Sequence, residues 1–199
     1  MRRRNVVLGL PALLVGCASA LTRPYVARQD WALTVPPPPS GPKRRSGKVL
    51  LVRTVEAVPS LQDRGLKTLA PDGLMDTDFY NRWVVPPAEG VGAALRQYLA
   101  ASGLFQAVLA PGSLANAALT LEAELMQLWV EPAAGRAVAE LSIVLLATAT
   151  ASTHVLMQAT ERGTSPLPAR ADPAQQVDAQ LAALAQVFRE TTAALRPYA

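Results

Sequence analysis

The chain has 199 residues, half of them apolar, with 19 Lys+Arg against 15 Asp+Glu and a formal charge of +4. A single cysteine and a single histidine exclude a disulfide framework, a multi-histidine or multi-thiolate metal site, and a Cys–His pair once the cysteine is otherwise engaged. Three of the positive charges are Arg2, Arg3 and Arg4; without them the chain carries +1, which gives no support for nucleic-acid binding.

Those three arginines form a basic n-region, and Val6 to Leu14 follow as a short apolar run. It is too short to cross a bilayer, which needs ~20 apolar residues, and has the proportions of a signal-peptide h-region. It ends in Leu14-Val15-Gly16-Cys17, which resembles the bacterial lipobox. Small residues before the cysteine admit the peptide to a peptidase cleft, and the thiol takes the lipid. The expected organisation is a cleaved signal over 1–16, a lipidated tether over 17–29 and one α+β domain over 30–199. Cys17 is expected to carry a covalent diacylglycerol and an N-acyl chain, with no other cofactor and no metal. About 180 residues after the signal are enough for one hydrophobic core. No later stretch has the length of a transmembrane helix; Leu141 to Ala149 is the most apolar and is far too short.

Ala18 to Gln29 lacks apolar periodicity. Trp31, Leu33 and Val35 then alternate as a first strand, stopped by the prolines at 36–39. Pro36 to Gly47 adds Lys43-Arg44-Arg45 to a polyproline stretch, the composition of an exposed, stiff loop. Lys48 to Val58 predicts a strand, Gly65 to Leu69 another, and Pro71-Asp72-Gly73 a turn. Leu74 to Val85 leads as a strand into Pro86-Pro87, a helix start where a missing N–H costs nothing. Val91, Ala94, Leu95, Tyr98 and Leu99 recur at helical spacing, with Gly103 as C-terminal cap. Phe105 to Leu109 is a short strand.

Ala117 to Val130 and Ala137 to Ala149 alternate as two longer strands around a turn at 132–135, and Val155 to Arg162 is the next hairpin partner. Asp172-Pro173 with Gln175 three residues on supplies an N-cap, a first-turn proline and a capping-box partner. Val177, Leu181, Leu184, Phe188 and Leu195 line one face of the final helix. This order predicts an α+β fold: a mainly antiparallel β-sheet with two main helices packed on one face.

Catalytic chemistry is thinly represented. A Ser-His-Asp arrangement through His154 has no Gly-x-Ser-x-Gly elbow to support it, and no Gly-rich phosphate loop follows a strand. Glu122 and Glu124 share a strand face, where alternation favours solvent exposure over paired acids. Arg82 and Trp83 could grip a phosphate or a partner carboxylate. The spacing of Phe79 and Trp83 favours packing of both on one strand face, with Arg82 opposite in a structural ion pair.

With these residues in view, a resemblance emerges. A lipobox precedes a Val-rich strand, then Phe79-Tyr80-Asn81-Arg82-Trp83-Val84-Val85-Pro86-Pro87 enters a helix, which closes in Leu99-Ala100-Ala101-Ser102-Gly103-Leu104-Phe105-Gln106-Ala107-Val108. This resembles the ABC-type transport auxiliary lipoprotein family, the PqiC-like group, across residues 30–197. The resemblance implies a lipoprotein that faces the periplasm and holds the outer-membrane end of a transport system, and the thin catalytic chemistry makes a non-catalytic adaptor the first expectation. Its implied partner is an MCE-domain protein of an ABC lipid transport system. Ala18 after Cys17, in place of the aspartate that commonly retains enteric lipoproteins in the inner membrane, agrees with outer-membrane sorting.

One apolar feature asks for a contact. Met126, Leu128 and Val130 fall opposite Leu119 and Leu121 on their strand, and Val138, Val144 and Leu146 fall opposite Leu141 and Ile143. If the helices cover one face, this second face is apolar toward its ends, and such patches commonly mark contacts. Another copy of the chain, the MCE partner and lipid are the candidate occupants; the 36–47 loop is the ordinary alternative. A lipid-binding carrier with an apolar pocket between sheet and helices is the alternative function, and an envelope hydrolase a distant third.

Overall fold

The computed structural model describes residues 25–38, 47–148 and 153–199. Cys17, the signal segment and the Lys43-Arg44-Arg45 cluster lie outside the described residues. Among those described, the order is β1 (Gln29–Trp31), β2 (Val49–Val52), β3 (Glu56–Ala57), β4 (Gly65–Leu69), β5 (Met75–Trp83), α1 (Pro87–Ala101), β6 (Ala107–Leu109), β7 (Leu119–Glu131), β8 (Arg136–Ala147), β9 (His154–Pro166) and α2 (Pro173–Leu195). The α+β class and the two main helices are as the sequence predicts.

Local chemistry accounts for most boundaries. Pro87 opens α1, and Gly103 takes φ +66° just beyond its end, the left-handed conformation that terminates helices. The Asp172 side chain accepts from the Gln175 amide at 2.8 Å while Gln175 Oε1 accepts from the Asp172 amide at 3.0 Å, the capping box that starts α2. Two strands are shorter than expected. β1 ends at Trp31, with Leu33 and Val35 buried beyond it outside any ladder. The 48–58 run breaks into β2 and β3.

The sheet is mixed. β7, β8 and β9 form an antiparallel meander with the longest ladders, and β4 pairs antiparallel with β5. Along the other edge of β7 the chain lays down β2, β3 and β4 in turn, all parallel to it. β6 adds parallel to β2 and β1 parallel to β5, so most pairings are parallel although the longest are not. Period-two alternation encodes which face a side chain takes, and carries no information on strand direction.

One face of this sheet packs against the helices. Leu121, Leu125, Leu141, Ile143 and Leu145 meet Val91, Leu95 and Leu99 of α1 and Leu184, Val187 and Phe188 of α2 in one continuous core. Tyr98 and Phe188 join the helices edge to face with centroids 5.5 Å apart. Leu181, expected on this face, is half-buried against the same core.

A bulge in β7 corrects the expected second apolar face. The β7–β8 register slips between Leu125 and Gln127, with Leu125 opposite Leu141 and Gln127 opposite Glu140. Met126 is therefore an extra residue, and every side chain beyond it swaps faces. Leu128 lies opposite Ala139 and Val130 opposite Ala137, both inside the helix-side packing at 2% and 0% exposure. They are core residues and do not belong to a contact surface; Met126 is half-buried at the slip itself.

Candidate functional site

Two surface features remain once the core is accounted for. The first is on the sheet face opposite the helices. Before the bulge, β7 presents Thr120, Glu122 and Glu124 there, and β8 presents Ser142, Val144 and Leu146, each opposite its partner in the ladder. Here Val144 and Leu146 keep the expected orientation and are half-buried. β9 adds Gln158 opposite Val144 and Val155 opposite Leu146, with Val155 64% exposed. Between these strands and the 53–56 segment lies an open trough of about 770 Å³, lined by Arg53, Glu56, Glu122, Glu124, Ser142 and Gln158 among others. Arg53 Nη1 donates to Glu122 Oε1 at 2.5 Å. Glu122 and Glu124 thus face outward as alternation predicts, with Glu122 already holding an arginine.

At the other end of this face Val138 is fully buried opposite Trp129. The Trp129 indole donates to Glu131 Oε1 at 3.1 Å and Arg136 to Oε2 at 2.7 Å. Burial alone would raise the Glu131 carboxyl, but these two hydrogen bonds hold it below its ordinary value. The trough is therefore a polar surface flanked by apolar side chains at the Leu146 end.

The second feature sits on β5 at the opposite wing of the sheet. Gly65 pairs with Arg82 and Lys67 with Thr77, so Asp78, Phe79, Tyr80 and Asn81 together oppose Leu66 alone. Asp78 holds this wide bulge. Its carboxylate accepts from the Tyr80 amide at 2.7 Å, the Asn81 amide at 2.9 Å and Asn81 Nδ2 at 2.8 Å. Burial pushes the Asp78 carboxyl up, and the bonds from Asn81 and Tyr80 outweigh it and leave it lowered. Gly65 is required beneath: a Cβ there would lie 2.4 Å from Thr77 Cγ2 and 2.7 Å from the Asp78 carbonyl oxygen.

The bulge separates the residues that sequence spacing had grouped. Trp83 is 1% exposed in the main core, whereas Phe79 is 61% exposed; the shared packed face expected for them does not form. Phe79 and Tyr80 instead touch edge to face at 5.2 Å, and the Arg28 guanidinium lies 3.9 Å over the Phe79 ring. Arg82 forks onto Asp30, at 2.7 Å from Nε and 3.3 Å from Nη2, the structural pair the sequence favoured. Arg82 donating to Asp30 is the main reason that carboxyl is lowered. Arg28, Arg64, Asp63 and Phe79 are among the residues around a recess of about 200 Å³ below the bulge.

Sequence reading missed Arg28, Arg53 and the projection of Phe79 and Tyr80. Asp78 followed at the third position by Asn81, inside an otherwise β-rich run, is the signal that marks the loop-out.

His154 opens β9 at the surface. Among the described residues, no group of three or more His, Cys, Asp or Glu is placed to hold a metal ion, and no helix is long and apolar enough to cross a membrane.

A family model described as the ABC-type transport auxiliary lipoprotein component matches residues 31–191. No curated protein matches the sequence significantly. Among solved structures, a Xanthomonas campestris protein of the DUF330 family superposes with TM-score 0.69 at 20% identity, over 85% of this chain and 95% of its own. An uncharacterized protein gives 0.62 at 14% identity, over 86% and 98%. A hypothetical protein from Chlamydia trachomatis gives 0.52 at 11%, over 77% and 98%. At these identities the structures speak to the fold.

Proposed function

The chain belongs to the family of ABC-type transport auxiliary lipoprotein components, and from that premise we propose that it is a non-catalytic, lipid-anchored adaptor. In this reading the lipid on Cys17 holds it in the outer membrane, facing the periplasm. The folded domain docks an MCE-domain protein of an ABC lipid transport system. The trough between Arg53 and Gln158, with Val144 and Leu146 at its side, is the docking surface.

The observation that carries the reading is where the free space lies. A lipid carrier needs an apolar cavity between sheet and helices. That space is occupied by Leu95, Leu99, Leu121, Leu141, Leu184 and Phe188, all at 0% exposure. The trough of about 770 Å³ is on the opposite face and is lined mainly by polar and charged groups, unlike the largely apolar lining that encloses a bound lipid. Native mass spectrometry of the protein purified from membranes separates the two functions. An adaptor carries only the acyl chains on Cys17; one non-covalent lipid per chain would establish the carrier instead.

A further inference from the structure

Phe79 and Tyr80 are neighbours in sequence, and in a regular strand their rings would point to opposite faces. Here both stand at the surface, 61% and 43% exposed, and touch each other. Several parts of the chain maintain this. Asp78 gives three hydrogen bonds' worth of acceptor capacity to the bulge. Gly65 clears the space under it, and Arg28 lies over Phe79. The bonds to Asp78 hold the bulge in shape, but the exposed part of the two rings gains no burial energy within the domain itself.

The position of the bulge points to its occupant. Arg28 belongs to the segment that leads back toward Cys17, and its contact with Phe79 brings that segment onto the bulge. Tyr25 and Val26, 90% and 53% exposed, extend the apolar surface along the same segment. Seven residues separate Cys17 from Tyr25, a path of at most about 28 Å when fully extended. A lipid on Cys17 would thus keep the bulge close to a bilayer. Aromatic rings beside a cationic guanidinium suit the interfacial layer: the rings enter the headgroup boundary and the guanidinium meets lipid phosphates.

We propose that the Phe79–Tyr80 bulge is a second membrane contact, inserting into the interfacial layer of the bilayer that holds the Cys17 lipid. A lipid joined to the domain by a single stretch of chain limits distance but does not fix orientation. A bulge seated in the same surface fixes orientation as well, and turns the β9 side and the trough in a set direction. This rests on the proposed lipidation of Cys17.

Because Cys17 is the only cysteine and is acylated in that reading, a cysteine placed at Tyr80 is uniquely open to a polarity-sensitive fluorophore. The full-length lipidated Tyr80→Cys protein would be reconstituted in vesicles of phosphatidylethanolamine and phosphatidylglycerol carrying brominated chains. Leu114→Cys, at a fully exposed loop position, is the reference. The expected result is a blue-shifted label at 80 that loses emission with brominated lipid, and neither effect at 114. Adding Phe79→Ser should reduce the quenching at 80. A label at 80 as wet as that at 114, in protein whose mass shows acylated Cys17, overturns the membrane contact and leaves the adaptor reading standing. A label at 80 shielded only in native envelopes, and never by lipid, assigns the bulge to a protein partner and also overturns it. If the mass shows an unacylated Cys17, the measurement is repeated with Cys17→Ser so that only residue 80 is labelled; quenching by lipid then removes the anchor and keeps the bulge, and its absence overturns both.

Discussion

Gly163 of β9 passes so close under α2 that a Cβ on it would stand 2.1 Å from the carbonyl oxygen of Ala183. The Thr164 amide donates to Gln186 Oε1 at 3.1 Å beside this contact, so helix and edge strand are joined by backbone proximity as well as by side chains. Gly163→Ala must push α2 off the strand, and the expected loss is about 2 kcal/mol. Urea unfolding of the two proteins measures it, and an unchanged midpoint would show that the helix has room to shift.

The β7 bulge separates two leucines that look alike in sequence. Leu128→Asp places a carboxylate in a site that is 2% exposed, at an expected cost of at least about 3 kcal/mol. Leu146→Asp lies on the half-buried opposite face and should leave a folded protein with near-native circular dichroism. Equal damage from both would argue against the register slip at Met126.

Acid should loosen the β5 bulge before the core. The Asp78 carboxyl lies below its ordinary 3.8 when folded. Its ionised form therefore adds stability that is fully present above the unfolded value and is lost as pH falls through the lowered folded value. Asp30, lowered chiefly by Arg82, acts with the same sign at the neighbouring β1–β5 pairing. Asp78→Asn should cost about 1 kcal/mol at neutral pH and flatten the acid side of the stability profile, measured as Tm against pH. A variant whose acid limb matched the wild type would remove Asp78 from this role.

Gln180 offers a gain. Its side chain is fully buried on α2, and no protein group among the described residues bonds its amide oxygen or nitrogen. Gln180→Met keeps shape and removes the unpaired amide, with an expected stabilisation of about 1 kcal/mol. A lower Tm in thermal unfolding would show that the amide is engaged.

Proline at 87, Asp172 with Gln175, and the turn at 132–135 act through local chemistry, so the helix starts and the main hairpin were legible. The bulges in β7 and β5 were not. Met126 sits among apolar residues on both sides, so its neighbours satisfy either parity, and only pairing with β8 decides it. At Phe79 and Trp83 a spacing of four gives one face only in an unbroken ladder, and the extra residues of the bulge break that relation. The parallel pairing of β2, β3 and β4 with β7 arises from contacts distant in sequence. Of the candidate contact residues, Val144 and Leu146 lie where alternation put them. Leu128, Val130 and Trp83 belong to the core.

The central claim is that the face carrying Val144 and the trough docks a transport partner. A photo-crosslinking residue at Val144, in the lipidated protein expressed in its own cells, tests it most directly. The account predicts a covalent adduct whose partner peptides come from an MCE-domain protein, weakened by Leu146→Asp and absent when the probe stands at Leu114. Adducts formed only with lipid or with a second copy of this chain, and none with an MCE-domain protein, would contradict it.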